Sequence, residues 1–204
     1  MFLAGDMTAM FRGETYLTTP RIVLRRFTTD DALALYELDG DPEVMRYISR
    51  TQTPLAHIRD VVLPGIIRRY EEFPGFGMWA AHDRETGEFI GWFELSVRTS
   101  SERRRPELGY RLARTVWGRG LATEGSTALI EKAFRDLDVD AVFAQTMAVN
   151  AASRRVMEKV GMCHVRTFHL EFDDPLPGTE QGEVEYEITR DEWLAHRRDE
   201  GQKG

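Results

Sequence analysis

The stretch VWGRGLATEG (116–125) places two glycines, Gly118 and Gly120, directly before a run of good helix formers. The preceding segment ELGYRLA (107–113) has the pattern of a strand. Glycine lets the backbone approach a ligand closely, and a helix start presents free amides and the positive end of its dipole. A strand, a glycine turn and a helix therefore predict a cradle for phosphate, with an ordinary turn as the alternative.

The glycine stretch does not match two common nucleotide motifs. A P-loop requires Gly-Lys-Ser/Thr after its spacing, and the chain has none there. A dinucleotide fingerprint requires a third Gly or Ala three residues after Gly120, where this chain has Thr123. Both differences argue against a nucleotide-binding enzyme.

Composition narrows the class of protein further. The chain has 204 residues with 27 Lys and Arg against 34 Asp and Glu, a net charge of −7. This charge argues against nucleic-acid or membrane partners, and no apolar run approaches the ~20 residues of a membrane helix. The single cysteine, Cys163, is typical of a cytoplasmic protein. The five histidines have no metal-ligand spacing, so we expect no metal.

Hydrophobic periodicity predicts hairpin strands first and then alternating strands and helices around one mixed sheet. The predicted strands cover 21–26, 77–82, 89–98, 107–113, 142–147, 164–172 and 183–189. The main predicted helices cover 54–73, with a disturbance at Pro64, and 122–135, 151–159 and 190–197.

A second motif, VNAASRRVMEKVGM (149–162), follows the predicted strand 142–147. Together with RIVLRRF (21–27), ELGYRL (107–112) and WGRGLATEG (117–125), it resembles the GNAT superfamily of N-acetyltransferases. The chain is most similar to the RimJ/RimL-like branch, the ribosomal-protein N-terminal acetyltransferases. The four motifs occur in the family's order, and the resemblance covers nearly the whole chain.

This resemblance implies an α+β fold, an α/β three-layer arrangement of the acyl-CoA N-acyltransferase type. Its central mixed sheet has about seven strands and is splayed in the middle, with helices on both faces. We expect a single N-acetyltransferase domain over residues 17–197, with flexible termini at 1–16 and 198–204.

The implied activity is acetyl transfer from acetyl-CoA to a primary amine by direct attack in a ternary complex. The preferred acceptor is a protein or peptide N-terminal α-amine. A small-molecule amine of the polyamine or aminoglycoside type is one alternative, and a catalytically silent acyl-CoA-binding module is another. The expected partners are acetyl-CoA and the amine acceptor, and a homodimer is left open.

The resemblance also implies which residues bind the coenzyme. The loop that would hold its diphosphate consists of Trp117, Gly118, Arg119, Gly120, Leu121, Ala122 and Thr123. A backbone amide at Leu112 would polarise the thioester carbonyl, and Asn150 would bind the pantetheine arm. Ser153 would stabilise the leaving thiolate. Packing beneath the loop is the alternative for Trp117, as helix capping is for Asn150 and backbone bonding for Ser153.

Glu107 is the first candidate for the general base that takes the amine's proton. An ion pair with the arginines at 103–105 is the alternative for this carboxylate. Glu94 and Glu171 are weaker candidates. Glu124 lies in the first turn of a predicted helix, where a negative charge suits the dipole, and we interpret it as structural.

Overall fold

The computed structural model of the protein describes residues 12–201. The chain divides into two compact units, each formed by two segments. The first unit extends to Glu94 and resumes over Tyr110–Gly125. The second unit comprises Leu95–Gly109 and the chain from Ser126 onward. Residues 1–11 of the predicted leader and 202–204 of the predicted tail lie outside the described residues.

Five strands build the first unit in the order β1-β2-β3-β4-β5. They are β1 (Thr15–Thr18), β2 (Ile22–Arg26), β3 (Gly77–Asp83), β4 (Phe89–Ser96) and β5 (Glu107–Leu112), the last two of which continue into the second unit. The strand β1 was not predicted from the sequence. It pairs antiparallel with β2, and the ring of Tyr16 stacks on that of Trp79 with 3.9 Å between centroids. This stacking adds apolar contact to a strand that is too short to be recognised by its pattern.

The second unit continues from β5 in the order β5-β6-β8-β7. Its further strands are β6 (Ala141–Met147), β7 (Cys163–Phe168) and β8 (Glu183–Thr189). β8 is antiparallel to both β6 and β7, whereas β5 and β6 are parallel and pair only at Glu107 with Phe143. This single paired position corresponds to the splay that was predicted in the middle of the sheet.

The last four of the helices below match the predicted ones with adjusted ends. They are α1 (Ala32–Asp39), α2 (Pro42–Met45), α3 (55–72), α4 (Leu121–Asp136), α5 (Ala151–Lys159) and α6 (Arg190–Gly201). The predicted α+β class is confirmed, with a mixed sheet of eight strands where about seven were expected and helices on both faces. Within residues 12–201, no helix combines the length and apolarity that crossing a membrane requires.

A π-helical turn interrupts α3 at Ile58–Val62, between the α-helical pieces Leu55–His57 and Leu63–Glu72. Pro64 causes it, because proline lacks the N–H of a regular helical bond and its ring crowds the carbonyl four residues earlier. A wider turn relieves this crowding. The disturbance predicted at Pro64 is thus confirmed, and Ile58, Leu63 and Ile66 remain buried on the inner side of the helix.

Each unit has its own apolar interior. Trp79, Phe93 and Leu24 are almost completely buried in the first unit, as are Phe134 and Leu129 in the second. Burying a side chain of this size contributes roughly 1.5–3 kcal/mol. The packing holds strands β4 and β5 in fixed positions, and these strands carry residues of the candidate site.

Candidate functional site

The glycine loop lies between the end of β5 and the start of α4, in the first unit. Gly118 has φ +74° and Gly120 has φ +79°, in the left-handed region that other residues rarely adopt. Among residues 12–201, a methyl group on Gly118 would meet nothing within 4 Å, and one on Gly120 would meet only the Arg21 guanidinium at 3.7 Å. Backbone conformation, and not crowding, therefore requires glycine at both positions.

The amides of this loop are free to bind a ligand. In the part of the chain that the structure describes, no backbone carbonyl accepts a hydrogen bond from the amides of residues 118–123. The next amide, that of Glu124, donates to the Gly120 carbonyl at 3.0 Å and begins the regular bonding of α4. Several unpaired N–H groups at a helix N-terminus form a suitable environment for a phosphate.

Glu124 fixes the loop to the start of β2. Its carboxylate accepts from the Thr19 hydroxyl at 2.6 Å, from the Arg21 amide at 2.9 Å and from Arg21 Nε at 2.6 Å. Arg21 Nη1 also donates to the Arg119 carbonyl at 2.9 Å. Burial acts to raise the pKa of Glu124, but the bonds from Thr19 and Arg21 outweigh it and lower the pKa. Glu124 is therefore structural, and Arg21 is a loop residue that the sequence analysis missed.

Trp117 connects the loop to β5. Its indole Nε1 donates to the Leu112 carbonyl at 2.8 Å, and 47% of the residue is exposed. Trp117 is thus not packed beneath the loop, and its exposed ring is available for contact with a ligand. The hydrogen bond from Trp117 thus occupies the Leu112 carbonyl at the end of β5, where the loop begins.

A cavity of about 320 Å³ lies in the first unit, next to the end of β5. Its walls come from α1, α3, β3, β4 and β5, with a mostly apolar lining and four polar residues. The lining residues are Leu35, Asp39, Thr53, Ile58, Val62, Ile66, Met78, Trp92, Glu94 and Arg111. Arg111 immediately precedes Leu112 in β5, so the cavity adjoins the strand end from which the glycine loop starts.

Two oppositely charged residues of the cavity form an ion pair. Arg111 Nη1 donates to Asp39 Oδ1, and each side chain is 16% exposed. The guanidinium also lies over the Trp92 ring, 5.0 Å from its centroid. The sequence analysis missed both members of this pair, and it named Glu94 only as a weaker base. The alternation of Trp92 and Glu94 on β4, two residues apart, was the available signal for a shared face.

Asn150 and Ser153 lie in the second unit, at the start of α5. Asn150 Oδ1 accepts from the Ser153 amide at 3.2 Å, and its Nδ2 donates to the Thr146 hydroxyl at 3.0 Å. Asn150 is therefore the helix N-cap, and Thr146 fixes the orientation of its amide. Capping engages the side chain of Asn150 and the backbone of Ser153, so a coenzyme role for either remains a prediction.

Glu107 begins β5 in the second unit, with its side chain 27% exposed. Burial raises the pKa of this carboxyl, the nearby Arg98 opposes the rise, and Glu185 and Glu102 add to it. Arg98 Nη2 lies 3.9 Å from the carboxylate. Two of the three arginines expected as partners bind elsewhere, Arg104 to Asp138 and Asp140, and Arg105 to Glu185 and Glu187. A carboxyl with a raised pKa is a suitable proton acceptor.

We expect Glu107→Gln to raise the melting temperature near pH 7. A raised carboxyl pKa in the folded protein means that ionisation of Glu107 opposes folding above the unfolded pKa of about 4.3. The amide removes this penalty, so the gain should disappear as the pH falls below about 4. Thermal unfolding at both pH values measures it, with the exposed Glu85→Gln as an unchanged control. A lower melting temperature for Glu107→Gln near pH 7 would contradict the interpretation.

No cluster of three or more His, Cys, Asp or Glu side chains suited to a metal ion occurs within residues 12–201. Cys163 is an exposed free cysteine.

Comparisons with known proteins agree with the geometry. The family model described as an acetyltransferase (GNAT) domain matches residues 21–163. The FsC-acetyl coenzyme A-N(2)-transacetylase of Aspergillus fumigatus is 38% identical over 164 residues, covering 78% of this chain and 69% of that protein.

Two solved structures share the fold at low sequence identity. The crystal structure of a probable acetyltransferase has a TM-score of 0.75 at 22% identity, covering 88% of this chain and 98% of the other. The RimL ribosomal L7/L12 alpha-N-protein acetyltransferase in complex with coenzyme A has a TM-score of 0.72 at 17% identity, covering 86% and 98%.

Proposed function

Because this chain belongs to the GNAT family and is an acetyl-CoA-dependent N-acetyltransferase, we propose that its acceptor is a protein or peptide N-terminal α-amine. Membership of the RimJ/RimL-like branch is part of the same proposal. In the reaction the amine nitrogen bonds to the acetyl carbon, and the bond from that carbon to sulfur breaks. One proton leaves the amine, and the departing thiolate takes up one.

The glycine loop is the observation that supports coenzyme binding. Its unpaired amides at 118–123, with Arg119 beside them, are suited to a diphosphate. Trp117 and the first residues of α4 complete the binding loop that we propose. The coenzyme supplies an acetyl group activated as a thioester.

The remaining roles are assigned residue by residue. The backbone amide of Leu112 stabilises negative charge on the acetyl oxygen, because a fixed donor there acts as in an oxyanion hole. Asn150 binds the pantetheine arm, and Ser153 donates a hydrogen bond to the departing sulfur. Glu107 accepts the amine's proton, directly or through water, which its raised pKa favours.

The preference for an α-amine follows from proton chemistry and from the cavity. A peptide α-amine has a pKa of about 7.7–8.0 and a lysine amine about 10.4, so the α-amine is neutral far more often near pH 7. The cavity contains two carboxylates, Asp39 and Glu94, against one guanidinium, Arg111. This excess of negative charge attracts an amine in its protonated form before deprotonation.

A small-molecule amine is the second candidate acceptor. The cavity of about 320 Å³ is at the lower end of the roughly 300–1,000 Å³ that small-molecule pockets span. The name of the relative from Aspergillus fumigatus contains FsC and N(2), and neither term refers to a protein substrate.

The test combines binding with turnover. We expect calorimetry to detect coenzyme A binding, and a thiol-release assay to show acetyl-CoA consumption with unblocked peptides. Peptides with a blocked N-terminus and a free lysine should react at least about tenfold more slowly, since their amine is mostly protonated. Equal rates with spermidine or an aminoglycoside would favour the small-molecule alternative. Tight binding without turnover of any amine would favour a silent acyl-CoA-binding module.

A further inference from the structure

Arg111 has more hydrogen-bonding capacity than the protein uses. A guanidinium has five N–H donors, and to the residues that the structure describes Arg111 donates one hydrogen bond, from Nη1 to Asp39. Within the described residues, its Nε is buried without a partner. A buried N–H donor without an acceptor destabilises the folded protein. A bound ligand with an acceptor oxygen would remove that destabilisation.

The position of the guanidinium is fixed before any ligand arrives. It stacks over Trp92, which is 8% exposed, and is bonded to the end of α1 through Asp39. The backbone of Arg111 also lies against Gly91 of β4, where an added methyl would come within 2.1 Å of the Arg111 carbonyl. A guanidinium held by Trp92 and Asp39, on a backbone packed against β4, is preorganised for recognition, since little side-chain entropy is lost on binding.

Arg111 is also close to where the reaction would occur. It adjoins Leu112 in the chain, so the two Cα atoms are about 3.8 Å apart. Its side chain lines the cavity together with Thr53 and Glu94. An acceptor whose amine approaches the end of β5 would therefore place the neighbouring atoms of its own skeleton beside the guanidinium.

We propose that Arg111 binds an acyl oxygen on the carbon next to the acceptor amine, and so selects α-amino-acyl compounds. This class comprises amides, esters and peptides of α-amino acids. Arg111 is then the specificity-determining residue of the cavity, and its free N–H groups donate to the carbonyl oxygen. Polyamines and aminoglycosides lack such an oxygen and leave the guanidinium unsatisfied. The inference rests on the proposed function.

The test uses matched amines that differ only in the acyl group. L-Phenylalaninamide is compared with phenethylamine, and L-leucinamide with isopentylamine, with each kcat/KM calculated for the neutral amine. This correction removes the effect of the carbonyl on the amine's own pKa. We expect the wild-type enzyme to prefer the amides by at least about tenfold, the range for a hydrogen bond to a charged group.

Two variants separate recognition from support of the fold. Arg111→Lys keeps the charge but loses the planar fork, and the pair Asp39→Asn with Arg111→Met removes both charges together. In both, the preference for amides, which is the ratio of kcat/KM for the amide to kcat/KM for its plain amine, should fall by about tenfold. Arg68→Met, at an exposed pair with Glu72 on α3, serves as the control that leaves both values unchanged.

Two outcomes would overturn the proposal. They are no amide preference in the wild-type enzyme and, in both variants, an unchanged preference, which includes an equal loss for amides and plain amines. An equal loss would show that Arg111 only supports the fold. Absence of turnover with every amine, despite coenzyme binding, would instead be a failure of the proposed function.

Discussion

Replacing both loop glycines, in the variant Gly118→Ala/Gly120→Ala, is expected to weaken coenzyme A binding by about a hundredfold. Left-handed backbone costs an alanine roughly 1–2 kcal/mol at each position, and 1.4 kcal/mol is tenfold in affinity. Both sites have room for the methyl group, so the free protein can relax to an ordinary conformation. Binding must then restore the strained form, and this cost appears in the dissociation constant.

Gly65→Ala is the matched control for the glycine loop. An added methyl at Gly65 also meets no atom of the described chain within 4 Å, but the residue has no left-handed backbone and lies in α3. Calorimetric titration with coenzyme A should give a wild-type dissociation constant for this variant. A double variant that binds as tightly as the wild-type protein would contradict the role of the loop amides.

Gly91→Ala is expected to cause the largest loss of stability among the substitutions considered. Its added methyl would lie 2.1 Å from the Arg111 carbonyl oxygen and 2.8 Å from the Leu112 Cα, and Gly91 has φ +131°. Both neighbours are backbone atoms, so no side-chain rotation can relieve the overlap. A cost of roughly 3–5 kcal/mol lowers the melting temperature by about 6–20 °C at this chain length.

Thermal unfolding measures this loss, and Gly65→Ala again gives the reference, with a slight gain expected from helix propensity. Variant protein that still folds should also lose acetyl transfer, because β5 must shift where Leu112 presents its amide. A change of less than about 2 °C would mean that β4 and β5 are not in such close contact.

Local patterns predicted the parts of the fold that depend on neighbouring residues. The glycine turn at Gly118 and Gly120, the capping alternative for Asn150 and the disturbance of α3 at Pro64 are each encoded within a few residues. Such features follow from backbone preferences alone, which explains why the sequence predicts them.

Contacts between distant residues could not be predicted in this way. Arg21 and Glu124 are 103 positions apart, and Asp39 and Arg111 are 72 apart. No periodicity connects the members of these pairs, since they meet only after the strands and helices pack. The loop's attachment to β2 and the polar part of the cavity were therefore missed, although Arg111 belongs to a motif that was recognised.

The bonds from Thr19 and Arg21 to Glu124 have a consequence for the time course of coenzyme capture. They hold the start of α4 and the Arg119 carbonyl in place through hydrogen bonds within the protein. Coenzyme binding then requires no slow ordering of the loop. We therefore expect association to follow second-order kinetics in a single phase. Differences in affinity among loop variants that keep both glycines should accordingly arise mostly from how quickly the complex dissociates.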